Sequence, residues 1–110
     1  MSWTFACRAS ELETDKPLSV DVAGTLVALV EHGDELFAIA DECSHARVML
    51  SLGDVEDCTI ECFAHGSRFD LRTGHPIDLP ATRPVPVYPV TLEDGDVLVD
   101  LDRPIDPQEL

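Results

Sequence analysis

Basic side chains are scarce in this chain: its 110 residues include 7 Lys and Arg against 22 Asp and Glu, which gives a formal net charge of −15. Proteins that bind nucleic acid do so largely through basic patches, so this composition excludes nucleic acid as a partner. The chain also has no apolar run of the roughly 20 residues that a membrane-spanning helix needs. The first 15 residues lack the basic start and apolar run of a signal peptide. We therefore predict a cytoplasmic protein that neither spans a membrane nor inserts in one.

Motifs of the common enzyme classes are missing too. The sequence offers no recognisable pair of nucleophile and base, no phosphate-binding loop and no pair of catalytic carboxylates. We therefore expect that the chain is not itself an enzyme.

Helical periodicity is also hard to find, whereas short apolar and β-branched segments bounded by turn residues are common. A chain of this length is expected to form one domain. Regularly spaced strands of this kind predict an all-β domain, a sandwich or a barrel. The predicted strands cover residues 3–7, 18–22, 25–30, 35–40, 57–61, 67–71, 87–92 and 97–101.

Two short motifs indicate a metal site. Residues 43–45 read Cys-Ser-His, residues 62–65 read Cys-Phe-Ala-His, and 16 residues separate them. Thiolate and imidazole ligands suit zinc or iron, and neither spacing matches helical i, i+4 pairing. The motifs therefore predict two loop tips that meet at one site, which could be a tetrahedral zinc or a [2Fe–2S] cluster. The candidate ligands are Cys43, His45, Cys62 and His65.

The residues around these motifs resemble the two cluster-binding boxes of Rieske proteins. Asp41-Glu42 precedes the first motif, and the second continues with Gly66, a short strand and the turn Thr73-Gly74. Zinc fingers instead place paired Cys before paired His, so the mixed order favours the Rieske cluster over zinc. The resemblance implies one [2Fe–2S] cluster per chain, with both Cys on the inner iron and both His on the outer iron. It also implies that Gly66, Ser67 and Phe69 lie beside the cluster.

The same resemblance implies a fold and domain limits. A Rieske fold has an antiparallel β-sandwich base and a small inserted cluster-binding lobe, here about 41–73. The domain would cover 1–101, followed by an acidic, proline-containing tail of low order at 102–110. The proline-rich segment from Pro80 to Pro89 resembles a third loop that shields the cluster.

Comparison with high-potential Rieske proteins suggests a low-to-intermediate midpoint potential for this chain. Those proteins have a disulfide between the two cluster loops, whereas the matching positions here are Val48 and Ala64. They also have a Ser and a Tyr that bond cluster sulfur atoms; this chain has Ser67 but Phe69 in place of the Tyr. Fewer hydrogen bonds to sulfur lower the potential.

The resemblance implies a one-electron carrier. The sequence is similar to the ferredoxin components of aromatic-ring dioxygenase systems. In those systems a flavin-dependent reductase supplies the electron and a terminal oxygenase receives it. The sequence is also similar to Rieske ferredoxins that are encoded beside Suf-type iron–sulfur assembly proteins. The two assignments share their chemistry and differ in partner, and a structural zinc module remains the alternative from another class. The acidic surface either aids solubility or steers the protein towards a basic face on a redox partner.

The remaining conspicuous side chains receive structural predictions. Cys7 and Cys58 are expected to be buried thiols. Two histidines are expected on the solvated surface, and two large aromatics in the core: His32 and His75, then Trp3 and Tyr88. Arg47 and Phe63, beside the motifs, either pack within the loops or belong to a docking surface.

Overall fold

The computed structural model of the chain describes residues 3–33, 35–42, 48–63, 66–77, 83–102 and 104. Within these residues the chain forms ten β-strands, two single-turn 3₁₀ helices and no α-helix, which confirms the all-β prediction. None of the helices in the described part is long and apolar enough to cross a membrane. The strands are β1 (Trp3–Arg8), β2 (Leu18–Val22), β3 (Thr25–His32), β4 (Glu35–Ala40), β5 (Val55–Glu56), β6 (Thr59–Glu61), β7 (Arg68–Asp70), β8 (Val87–Tyr88), β9 (Val90–Glu93) and β10 (Asp96–Asp100). The 3₁₀ helices are Ala9–Glu11 and Leu50–Leu52.

The described strands form three antiparallel sheets. Two of them, β1-β10-β9 and β2-β3-β4-β8, make up a base, and β5-β6-β7 forms a smaller sheet. The small sheet lies between β4 and β8 along the chain, within the span 41–73 predicted for the inserted lobe. We call this part of the molecule the lobe.

Strand β3 lies at the centre of the molecule because both of its faces are apolar. Successive side chains of a strand point to opposite faces of its sheet. Val27 and Leu29 therefore pack into the core of the base with Val97 and Val99 of β10. Ala28 and Val30, on the other face, pack into a second core that the base shares with the lobe. The main lobe residues in that core are Leu50, Ile60, Cys62, Phe69 and Leu71.

The strand predicted at 57–61 is wrong at its start. Asp57 and Cys58 have φ values of +51° and +60° and form a turn between β5 and β6. The Thr59 hydroxyl donates a 2.6 Å hydrogen bond to the carbonyl of Glu56, which closes this turn. Positive φ values lie in the left-handed region, which Asp adopts more readily than most residues do. The local sequence therefore permits a turn at a place where the β-prone residues alone predict a strand.

The strand predicted at 87–92 is also wrong, because it divides at Pro89. Residues before Pro89 form β8 and pair with β4, whereas residues after it form β9 and pair with β10. Proline has no N–H to offer a sheet, but its carbonyl still accepts. Here it accepts a 3.1 Å hydrogen bond from the N–H of Asp100. The chain therefore changes sheets at this residue.

Several predictions for single side chains need correction. Trp3 is 41% exposed, because it lies on the edge strand β1 opposite Asp100 instead of in the core. Cys7 is buried as expected, but Cys58 is only half-buried at the border of the shared core.

His32, expected on the solvated surface, is half-buried, with Nδ1 2.6 Å from Oδ1 of Asp15. Two further side chains match their predictions more closely: His75 is exposed, and Tyr88 is half-buried against the base core.

Gly53 provides a test of the packing at the edge of the lobe. A Cβ at this position would overlap the backbone carbonyl of Glu61, the residue before Cys62. We expect Gly53→Ala to lower the free energy of unfolding by about 3 kcal/mol, because backbone must move to make room. Urea denaturation measures this loss. Gly33→Ala is the control, since Gly33 has open space around it and a φ of +62°. That variant should lose about 1 kcal/mol through backbone strain alone, and equal losses would contradict the account.

Candidate metal centre

The second motif begins directly after β6. Cys62 is 1% exposed and packs among the apolar side chains of the shared core. It is the one predicted ligand within the described part of the chain. Cys43, His45 and His65 lie outside the described residues, as does Arg47, so the convergence of the four ligands stays a prediction.

Two backbone hydrogen bonds fix the loop that begins at Cys62. The N–H of Cys62 donates to the carbonyl of Ser67 at 2.7 Å, and the N–H of Gly66 donates to the carbonyl of Cys62 at 2.8 Å. Gly66 has a φ of +78°, a conformation that side-chain-bearing residues rarely adopt. The closed loop holds the backbone of Cys62 at both of its polar groups, which a ligand that must keep its geometry requires.

Ser67 and Phe69 point to the same side of the chain as it enters β7. Both are fully buried, whereas Arg68 between them is half-buried. The alternation of a strand therefore places them on the face that packs into the shared core with Cys62. A buried thiol and a buried hydroxyl at the two ends of one closed loop, inside apolar surroundings, fit an iron–sulfur group, which is held by thiolate and tuned by hydrogen-bond donors.

The entrance to the first motif is fixed differently, through a side-chain contact of Asp41 that the sequence did not predict. Asp41 follows β4 and is 3% exposed, and its N–H donates to the carbonyl of Leu26 at 3.1 Å. Its two carboxylate oxygens each accept a 2.7 Å hydrogen bond from Ser51, one from the N–H and one from the hydroxyl. Asp41 is a polar residue at a strand end, two positions before a predicted ligand, and this position is the signal that could have indicated its role.

Arg72 joins the lobe to the base. Its guanidinium donates to both oxygens of Glu35 on β4, at 2.8 and 2.9 Å, and its Cζ lies 5.4 Å from the ring centroid of Phe37. The hydrogen bond from Arg72 is the main reason that the pKa of Glu35 lies below its ordinary value. Burial raises the pKa of the nearby Cys58 thiol, while the charge of Arg72 acts in the opposite direction.

The Glu35–Arg72 pair predicts a pH-dependent contribution to stability. A carboxylate whose pKa is lowered by folding stabilises the native state above its unfolded pKa of about 4.3, and this contribution disappears as the pH falls through the folded value. We therefore expect Glu35→Gln to be less stable than the unchanged protein at pH 7, and we expect this difference to be smaller at pH 3. Thermal unfolding across this range measures the difference.

The control for this prediction is Glu93→Gln, which changes an exposed carboxylate at the end of β9. It should shift the unfolding temperature little at either pH, because Glu93 forms no ion pair with the residues that the structure describes, and such exposed carboxylates contribute little. A difference between the unchanged protein and Glu35→Gln that is the same at pH 3 and pH 7 would contradict the assigned role of the pair.

Comparisons with known proteins agree with this architecture. The family model for the Rieske [2Fe-2S] domain matches residues 2–89. The chain is 39% identical over 102 residues to the 3-phenylpropionate/cinnamic acid dioxygenase ferredoxin subunit of Escherichia coli strain K12, which covers 92% of this chain and 95% of the relative. The ferredoxin of carbazole 1,9a-dioxygenase from Nocardioides aromaticivorans IC177 superposes with a TM-score of 0.85 and 36% identity, covering 90% of this chain and 97% of that one.

A third similar protein was solved together with its partner. It is described as the complex of reduced oxygenase and oxidized ferredoxin in carbazole 1,9a-dioxygenase. The matched chain has 34% identity and a TM-score of 0.82, covering 88% of this chain and 91% of that one.

Proposed function

Because this chain belongs to the Rieske [2Fe-2S] domain family, we propose that four side chains hold its single cluster: Cys43, His45, Cys62 and His65. The chain is a Rieske-type ferredoxin, an electron carrier and not itself a catalyst. Family membership also argues against the structural zinc module. When bound, such a cluster accepts and releases one electron, at a potential that its ligands and hydrogen bonds set.

The described residues have distinct proposed tasks at this site. Cys62 supplies a thiolate from a loop whose backbone is closed by two hydrogen bonds. Gly66 provides the left-handed turn that lets the loop close, and Ser67 offers a buried hydroxyl on the same face. Phe69 excludes water with its buried ring and has no hydroxyl to offer. The missing hydroxyl supports a midpoint potential well below the upper limit of about +300 mV for Rieske centres.

We further propose that the chain receives electrons from a flavin-dependent ferredoxin reductase and passes them to a terminal oxygenase. The observation that supports this most strongly is the match over 92% of the chain to a dioxygenase ferredoxin subunit. A similar ferredoxin has been solved in complex with its oxygenase. These relatives favour an oxygenase over iron–sulfur assembly proteins as the acceptor.

The charge of the chain supports docking onto basic partner surfaces. The chain has a formal net charge of −15, so attraction to a basic face would speed its association with a partner. Salt would screen this attraction and slow the association. The acidic residues thus have a task beyond solubility.

The domain limits and the compartment are also proposals. We place the Rieske domain at residues 1–101 and a tail at 102–110, because β10 pairs with β1 although the family match ends at residue 89. A cluster ligand such as Cys62 must stay a reduced thiolate, which favours the reducing environment of the cytoplasm.

Anaerobic stopped-flow mixing tests the proposed function. A flavin-dependent reductase with NADH should bleach the visible absorption of the ferredoxin, and a terminal oxygenase should restore it as it takes up the electron. Higher salt should slow both steps if the acidic surface guides docking. A ferredoxin that the reductase cannot reduce, or that keeps its electron in the presence of the oxygenase, would refute the proposal.

A further inference from the structure

Two hydrogen bonds join the carboxylate of Asp41 to Ser51. Oδ1 of Asp41 accepts from the N–H of Ser51 and Oδ2 accepts from its hydroxyl, each at 2.7 Å. Asp41 is 3% exposed, and a buried carboxylate persists only when it is well bonded. Hydrogen bonds to a charged acceptor are about twice as strong as neutral ones. The contact is therefore strong enough to fix the distance between these two positions.

Each end of this contact is itself anchored in a different part of the molecule. Asp41 is tied to the base, since its N–H donates to the carbonyl of Leu26 on β3. Ser51 belongs to the 3₁₀ turn Leu50–Leu52, whose first residue is fully buried in the shared core. The chain between them, residues 42–50, thus leaves and re-enters the scaffold at two fixed points.

We propose that Asp41 is a positioning residue for the first ligand loop. By holding Ser51, it fixes both ends of the segment that contains Cys43 and His45 and so reduces the conformational freedom which the ligands lose on binding. This inference rests on the proposed function, which makes Cys43 and His45 cluster ligands. In the second ligand loop, backbone hydrogen bonds provide a similar closure, between Cys62 and Ser67 and between Gly66 and Cys62.

The test compares how fast loaded variants lose iron to a chelator, followed by the decay of visible absorption. Asp41→Ala removes both acceptors, and we expect it to lose iron about tenfold faster than the unchanged protein, because removing groups that orient metal ligands typically lowers metal affinity by about 10-fold or more. Ser51→Ala removes one of the two bonds and should have a smaller effect in the same direction. Ser51→Thr keeps both donors and should lose iron at the unchanged rate.

The matched control is Asp100→Ala. Asp100 is also a buried carboxylate, 1% exposed, but it lies in the base, where Oδ1 accepts from the N–H of Asp102 at 3.0 Å. Its removal should leave iron loss unchanged at temperatures where the protein stays folded. Global unfolding of each variant is measured in parallel by circular dichroism, so that faster iron loss can be separated from faster unfolding.

Two results would overturn the inference. One is iron loss at the unchanged rate in both Asp41→Ala and Ser51→Ala. The other is acceleration that merely follows global unfolding and appears equally in Asp100→Ala. If Asp41→Ala does not fold, the comparison of Ser51→Ala with Ser51→Thr decides the matter. Unchanged protein without iron and sulfide would refute the proposed function itself, and this inference with it.

Discussion

Cys62→Ser is expected to abolish cluster binding completely while the β base stays folded. The thiolate is the metal ligand that iron–sulfur clusters require, and a neutral hydroxyl replaces it poorly. Cys62 is 1% exposed at the start of a hydrogen-bonded loop, so no neighbouring group can take its place without breaking that loop. Iron and acid-labile sulfide analysis, together with visible absorption, measures the loss.

Cys7→Ser and Cys58→Ser are the controls for this prediction. Cys7 lies in the base core, and Cys58 lies in the turn between β5 and β6 at the border of the shared core. Both variants should keep their iron and sulfide, although a hydroxyl in the base core should lower the stability of Cys7→Ser. Retention of iron by Cys62→Ser, or its loss from Cys58→Ser, would show that the thiol has been misassigned.

Phe69→Ala is expected to cost about 3–5 kcal/mol of unfolding free energy, the range measured for large buried aromatics. Phe69 is fully buried in the core that joins the lobe to the base, together with Ile60 and Leu71. The cavity left behind would lie beside the loop of Cys62, so we also expect faster loss of iron. Guanidinium denaturation of the loaded protein measures the first effect.

Phe63→Ala is the matched control, because it removes the same ring from a site that is 55% exposed. It should change the unfolding free energy by less than about 0.5 kcal/mol. We propose that Phe63, which is exposed, belongs to the docking surface, so the same variant should slow electron transfer to a partner. Similar destabilisation by both variants would contradict the account of the shared core.

Local sequence patterns predicted the parts of this fold that depend on local chemistry. The alternation in residues 18–22 and the apolar run in 25–30 identify strands, since side chains alternate between the faces of a sheet. The Cys and His spacing, with Gly66 directly after the second motif, identifies the family. These signals need no knowledge of distant contacts.

Several of the errors arose where distant parts of the chain decide the outcome. Trp3 is a residue type that favours strands, but its burial depends on whether another part of the fold packs against β1. Pro89 divides two strands because the residues before it, Val87 and Tyr88, pair with β4, which lies far earlier in the chain. The contact of Asp41 with Ser51 spans ten positions, and no short pattern in the sequence indicates that the two side chains meet.

The most direct test of the whole account is the metal and sulfide content of protein purified under anaerobic conditions. A chain that binds one Rieske cluster should contain two iron atoms and two acid-labile sulfides and essentially no zinc. One zinc per chain with no sulfide would contradict the account, because it would leave the β scaffold without any means to accept an electron.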